Sequence, residues 1–141
     1  MFSFRKICRT FENMTEHERR VSLSESANVV LPELAKIYGN GINEFILFIF
    51  AACGADGVLD ATEYKLFSEV TGIDIAYSDA YEMFRSSDMR RAQKTADDII
   101  DMFGLMSNEV KASMITFCLL ICSANGKISR GERKFIKKLI K

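Results

Sequence analysis

The chain has 141 residues, of which 48% are hydrophobic and 27% are charged. This length suits one domain with a sizeable core, and this composition is typical of a soluble globular protein. Nineteen basic and nineteen acidic residues give a formal net charge of zero. That balance argues against a nucleic-acid-binding protein, because such proteins must neutralise phosphates.

The cysteines and the apolar runs of the chain both indicate the cellular compartment in which we expect the protein. The four cysteines form no CxxC motif, and three of them lie in apolar helical runs, so we expect buried free thiols and a cytoplasmic protein. The most apolar runs, near residues 45–55 and 114–124, are too short for a membrane span, which needs about 20 residues. No secretory signal is expected from the N-terminal residues. The cysteines are Cys8, Cys53, Cys118 and Cys122.

The first third of the chain shows helical periodicity. Residues 1–14 predict an amphipathic helix, and we assign residues 1–20 to an N-terminal extension. Capping-box patterns at residues 15–18 and 22–25 predict that a second helix begins in this region. Pro32 either kinks that helix or opens a short one. A strongly apolar helix over residues 42–55 is then expected at the centre of the fold.

The remaining sequence predicts five further helices. The first begins at Asp60 and is ended by Gly72, and the second covers residues 78–86. The third is capped by Thr95 and runs to residue 104. A second apolar helix begins at residue 107 or 108, and the last begins at Ser129. No segment alternates as a strand does, so the sequence predicts an all-α domain of seven or eight helices.

Two stretches of the chain, centred on residues 45–72 and 114–141, resemble each other when the first is moved forward by 69 positions. The chain therefore indicates an internal duplication of a helix–turn–helix unit, with its two halves around a pseudo-twofold axis inside a domain of residues 21–141. The identical pairs are Ile46/Ile115, Phe48/Phe117, Cys53/Cys122, Ala55/Ala124, Gly57/Gly126, Glu63/Glu132 and Lys65/Lys134.

The first turn carries the acidic residues Asp56, Asp60 and Glu63, spaced as in the second half of an EF-hand loop. The earlier ligand positions of that loop hold no oxygen-bearing side chain, so at most a weak Ca²⁺ or Mg²⁺ site is expected. Capping explains the same spacing, because Asp60 with Glu63, like Ser129 with Glu132, can satisfy free N–H groups of a helix start. Both interpretations stay open at this point.

No catalytic or zinc-binding constellation is visible in the sequence. His17 is the only histidine and has no nucleophile as a partner, so we expect no enzyme. Cys118 and Cys122 share a helix face, but no further Cys or His follows in a ligand pattern, and the sequence therefore predicts no zinc site.

The C-terminal helix is strongly basic. Its lysines predict either a solvated face or a contact with an acidic protein partner or an anionic membrane surface. The lysines assigned to this contact are Lys134, Lys137, Lys138 and Lys141.

Around the turns the chain is similar to the TerB-like family, which is associated with tellurite resistance. That resemblance implies an all-helical, non-enzymatic interaction module in a stress-response complex, with a protein partner not identified by the sequence. A metal-binding role of the family's acidic residues would fall here on Asp56, Asp60 and Glu63. The motif that carries the resemblance is Ala55-Asp56-Gly57-Val58-Leu59 through Glu63, with a weaker copy at Ala124-Asn125-Gly126-Lys127-Ile128 through Glu132.

Overall fold

A computed structural model describes residues 3–38, 42–54, 59–86, 89–105 and 107–140. These residues form eight α-helices and no strand, which confirms the predicted all-α class and the number of helices. The helices are α1 (Phe4–Glu12), α2 (Glu16–Tyr38), α3 (Ile42–Cys53), α4 (Ala61–Thr71), α5 (Tyr77–Ser86), α6 (Met89–Gly104), α7 (Asn108–Cys122) and α8 (Arg130–Ile140).

The two apolar helices α3 and α7 form the centre of a single core. α7 packs against α2, and α3 packs against α6, while α4 and α8 close the remaining sides. Aromatic pairs join these layers: Phe48 of α3 meets Phe135 of α8 edge-on at 5.3 Å between ring centroids, and Phe67 of α4 meets Phe117 of α7 at 6.3 Å. The central position predicted for both apolar helices is confirmed, because most described side chains of α3 and eight of the fifteen of α7, including all from Phe117 to Cys122, are buried.

Helix α2 is one continuous helix of 23 residues with Pro32 in its interior. Its start is the predicted capping box: the Thr15 N–H donates to Glu18 Oε1 at 3.0 Å, and the Glu18 N–H donates to Thr15 Oγ1 at 3.1 Å. The second capping-box pattern, at residues 22–25, lies inside α2 and does not mark the start of a helix. The stabilisation from packing α2 along α7 outweighs the loss of the backbone hydrogen bond that Pro32 cannot donate.

Helix α6 begins at Met89 and not at Thr95, so that predicted boundary was wrong. The residues before Thr95 include good helix formers, and Ala92 is buried together with Ala96 and Ile99. These three positions are four and three residues apart, which places them on one helix face. The apolar face of α6 therefore extends about a full turn further toward the N-terminus than the polar residues before Thr95 indicated.

Arg19 of α2 is a buried residue, only 5% exposed, that joins three helices. Its guanidinium donates hydrogen bonds to the Leu120 carbonyl at 2.9 Å, to Ser123 Oγ and to the Phe11 carbonyl at 2.8 Å. These acceptors lie at the C-terminal ends of α7 and α1, where helix dipoles favour a cation. Arg19 thus fixes α1 against the turn that follows α7.

Glycines end or reverse two of the segments. Gly72 terminates α4 with φ 74°, and Gly126 turns the chain after α7 with φ 93°. Only glycine adopts such angles without strain, so the predicted roles of both residues are confirmed. Among the described residues, no helix is both long enough and apolar enough to cross a bilayer.

Candidate metal centre

Four side chains with metal-binding atoms meet in the interior of the fold. Cys53, Glu63, Cys122 and Glu132 each place one ligand atom so that all four atoms lie within 4.8 Å of one another. Each of the four residues is at most 2% exposed. Two thiols and two carboxyl groups therefore share one site that is closed to solvent.

Helix ends place these side chains. Cys53 and Cys122 are the last residues of α3 and α7, the two central helices. Glu63 and Glu132 stand at the third position of α4 and α8, the helices that follow each turn. Each helix–turn–helix segment therefore contributes one sulfur atom and one carboxyl group.

The two helix starts use their caps differently. In α8 the capping is reciprocal: the Ser129 N–H donates to Glu132 Oε1 at 2.9 Å, and the Glu132 N–H donates to Ser129 Oγ at 3.2 Å. In α4 the Glu63 N–H donates to Asp60 Oδ1 at 2.9 Å. The capping expected of Ser129, Glu132 and Asp60 is thus present, whereas the Glu63 carboxyl is directed into the buried cluster.

Glu63 Oε1 is buried and has no hydrogen-bond partner within the described part of the chain. An unsatisfied buried acceptor destabilises a fold by about 1–3 kcal/mol, so native proteins rarely keep one without a reason. A bound cation would satisfy this oxygen. The orphaned oxygen is therefore free to act as a ligand within this cluster.

Burial contributes to raised pKa values of Glu63, Cys122 and Glu132. Burial, the nearby Cys53 and the neighbouring Glu132 carboxyl all raise the pKa of Glu63. Burial raises the pKa of Glu132 as well, although hydrogen bonds from Glu63 and Ser129 oppose that shift. The hydrogen bond to Cys53 and burial raise the pKa of Cys122. The interaction between the two carboxyl groups raises the pKa of Glu63 and lowers that of Glu132, so Glu63 has the stronger tendency to keep its proton.

The donor set fits a thiophilic divalent ion. Zinc binds thiolate sulfur at about 2.3 Å and carboxylate oxygen at about 2.0–2.2 Å, so tetrahedral donor atoms lie about 3.3–3.8 Å apart. The observed upper limit of 4.8 Å would need to contract by about 1 Å at the widest pair. Ca²⁺ and Mg²⁺ prefer oxygen ligands only, and the two sulfur atoms disfavour them.

Of the acidic residues that the sequence grouped at the first turn, the structure gives Asp60 and Glu63 different surroundings. Asp56 lies outside the described residues. Asp60 is half-buried and both its oxygens accept hydrogen bonds, one from the Glu63 N–H and one from Asn125 Nδ2 at 3.1 Å. Glu63 is buried in the cluster. A Ca²⁺ or Mg²⁺ site made of these three acids stays a prediction.

Three members of the cluster were not assigned to a site from the sequence: Cys53, Cys122 and Glu132. One signal pointed to them, because the 69-position offset pairs Cys53 with Cys122 and Glu63 with Glu132. Cys118 and Cys122 are close neighbours in sequence, whereas the cluster combines residues of the two segments, which local spacing does not reveal. Cys118 is a buried free thiol outside the cluster.

Two depressions on the surface lie apart from this cluster. One, of about 570 Å³, is lined by α2, α4 and the turn after α7, including Arg20, Lys65 and Glu69. The other, of about 510 Å³, is lined by Asn125, Lys127, Ser129, Arg130 and Arg133. The cluster residues line neither depression.

Comparisons with known proteins give no match: no family model fits the chain, and neither the curated proteins nor the solved structures contain a significant relative.

Proposed function

We propose that this protein is a non-enzymatic helical module that binds one thiophilic divalent ion, Zn²⁺ foremost, between Cys53, Glu63, Cys122 and Glu132. The observation that carries the proposal is the orphaned Glu63 Oε1, which faces two sulfur atoms and a second carboxyl group in a site closed to water. Metal coordination gives this oxygen a partner and replaces the protons of the thiols.

The closed form of the site supports a binding role over catalysis. Catalytic zinc sites keep one position open for water or substrate, whereas structural sites use four protein ligands. All four donors here come from the protein, and all four are buried. The two starts of α4 and α8 would be joined through the ion to the ends of α3 and α7, so metal binding would stabilise the contact between the two segments.

We further infer that the two segments are copies of one helix–turn–helix unit. Their matching sequence positions and the equivalent positions of their cysteines and glutamates support this. The TerB-like resemblance, with its stress-response setting and protein partner, also stays a proposal. The four buried free thiols suit a reducing cytoplasm, where thiols stay available as ligands.

Titration of the reduced, chelator-treated protein with Co²⁺ tests the metal site. We expect one ion per chain, a thiolate-to-cobalt charge-transfer absorption, and displacement by Zn²⁺ but not by excess Ca²⁺ or Mg²⁺. Cys53→Ala and Cys122→Ala should each remove most of that absorption. Cys118→Ala is the matched control, since this buried thiol lies on α7 but outside the cluster.

A titration without charge-transfer absorption would contradict the proposal. It would also be contradicted if Cys118→Ala lost as much of this absorption as Cys53→Ala and Cys122→Ala do. Competition by Ca²⁺ at millimolar concentration would instead favour the oxygen-only site predicted at the first turn. In that case Asp60→Asn should weaken the binding of the metal ion more than Cys122→Ala does.

A further inference from the structure

The first and last helices of the structure are neighbours. Lys137 of α8 places its Nζ 5.5 Å from the centroid of the Phe4 ring of α1. At the other end of α1, Glu12 Oε2 accepts a hydrogen bond of 2.7 Å from the Ile128 N–H. Residues separated by most of the chain therefore contribute to one continuous surface.

This surface, which we call the basic face, consists of the cations on α1, on α8 and on the turn before α8. All of them are exposed except Arg133, which is half-buried. The two acids of the same segments do not neutralise the basic face at its outer side, because Glu12 caps the Ile128 N–H and Glu132 is buried in the cluster. The cations are Arg5, Lys6, Arg9, Lys127, Arg130, Arg133, Lys134, Lys137 and Lys138.

The shape of the basic face favours a broad anionic surface over a peptide. The apolar sides of α1 and α8 pack into the core, through residues such as Cys8, Phe135, Ile136 and Leu139, so the described residues of these two helices form no apolar groove for a partner helix. The depression of about 510 Å³ on this side is lined by three cations, Lys127, Arg130 and Arg133. Attraction to anionic lipid needs only such clustered charge.

One apolar side chain stands at the edge of this face. Ile140, at the end of α8, is 39% exposed although the other large apolar residues of that helix are buried. Next to lysines, an exposed isoleucine can enter the headgroup region of a bilayer. We propose that the basic face, built jointly by α1 and α8, docks this protein on an anionic phospholipid surface.

Co-sedimentation with phosphatidylcholine vesicles, with and without phosphatidylserine, tests this proposal. The wild-type chain should bind only the anionic vesicles, and binding should weaken steeply as salt is raised. Because each cation near such a surface changes the affinity by roughly fivefold, removing three should weaken binding by about 100-fold. The α8 variant is Lys134→Gln, Lys137→Gln and Lys138→Gln, and the α1 variant is Arg5→Gln, Lys6→Gln and Arg9→Gln.

The α1 variant is the decisive one, because only the tertiary structure adds α1 to the basic face. A control with Lys36→Gln, Lys65→Gln and Lys94→Gln removes the same net charge from exposed lysines elsewhere, and it should lose less than about fivefold. Equal affinity of the α1 variant and this control for anionic vesicles would overturn the proposal that α1 contributes to the docking surface.

Two further outcomes overturn the lipid assignment. One is equal sedimentation of the wild-type chain with neutral and anionic vesicles, a measurement that needs no variant to fold. The other is tighter binding to an acidic polypeptide or to RNA than to anionic vesicles at the same salt concentration. Thermal melts of each variant confirm that binding is compared between folded proteins.

Discussion

The carboxyl groups of Glu63 and Glu132 meet in the interior of the protein, with one oxygen of each within 4.8 Å of the other, and the two residues open different helices. Two acids can share such a site without a cation only if at least one keeps its proton. The protonation of the pair is therefore linked to the stability of the protein and, under the proposed function, to metal binding.

The metal-free protein should lose stability as the pH rises. The pKa of Glu63 is raised in the folded state above its unfolded value of about 4.3, so the folded state binds more protons above that pH. The contribution of Glu63 is therefore complete below about pH 4 and declines toward alkaline pH by up to about 1.4 kcal/mol per pH unit. Urea unfolding between pH 5 and pH 8 measures this decline.

Glu63→Gln isolates that contribution, because a neutral amide can still donate to Glu132. The metal-free variant should be less dependent on pH than the wild type and more stable at pH 8. Glu109→Gln, at an exposed position of α7, is the control and should leave the wild-type dependence in place. Parallel curves for wild type and Glu63→Gln would show that this carboxyl keeps no proton in the fold.

The stabilisation that Zn²⁺ gives should depend on pH in the opposite direction to the stability of the metal-free protein. Metal ligands must lose their protons, so the stabilisation given by a fixed Zn²⁺ concentration should grow as the pH rises. Melting temperatures with Zn²⁺ and with a chelator, measured across the same pH range, give the difference directly. A difference that shrinks toward alkaline pH would contradict coordination by Glu63 and the thiols.

Gly54 should not accept a side chain. A Cβ at this buried position would overlap the Phe84 ring and lie 2.6 Å from the Phe50 carbonyl oxygen. We expect Gly54→Ala to destabilise the protein by about 1–3 kcal/mol, measured by urea unfolding. In a double-mutant cycle, Phe84→Leu should recover part of that loss, whereas additive effects of the two changes would exclude the Phe84 ring as the cause.

Arg19 should contribute much more to stability than its neighbour Arg20. The buried Arg19 donates to three acceptors at the ends of α1 and α7, and hydrogen bonds to charged groups are worth about 1.5–3 kcal/mol each. Arg20 pairs with Glu69 at 2.6 Å at the surface, where such pairs contribute about 0–1 kcal/mol. Arg19→Met should therefore cost at least about 2 kcal/mol more than Arg20→Met in chemical unfolding.

Arg19→Lys distinguishes geometry from charge. A lysine keeps the positive charge but cannot reach three acceptors with a planar fork, so most of the loss should remain. Full stability in Arg19→Lys would indicate that only the charge at the two helix ends matters.

Most helices could be predicted from the sequence, because hydrophobic periodicity and caps are local. Ser107 caps α7 and Gly72 ends α4 as expected. The boundary at Thr95 was wrong because tertiary packing decides it: α6 starts earlier, since burial against α3 outweighs the local signal of threonine. Of the two alternatives for Pro32, the structure excludes the short separate helix, because α2 continues through this residue.

The candidate site was predictable only in part. Glu63 and Glu132 were expected as caps, and Glu132 is one. The inward direction of Glu63 was not expected, because the spacing of Asp60 and Glu63 is the same whether the glutamate caps its helix or enters the core. Likewise the cysteines at positions 53 and 122 look like ordinary core residues when each is considered in its own helix.

The sequence by itself determined that this chain is all-helical, that α3 and α7 are buried and that the last helix is basic, because these properties follow from the order of apolar and charged residues along each helix. Only the tertiary structure decided that Cys53, Glu63, Cys122 and Glu132 converge, and that α1 lies beside α8. The physical reason is that side chains distant in sequence meet only when helices pack, and the buried surface of the whole core determines how they pack.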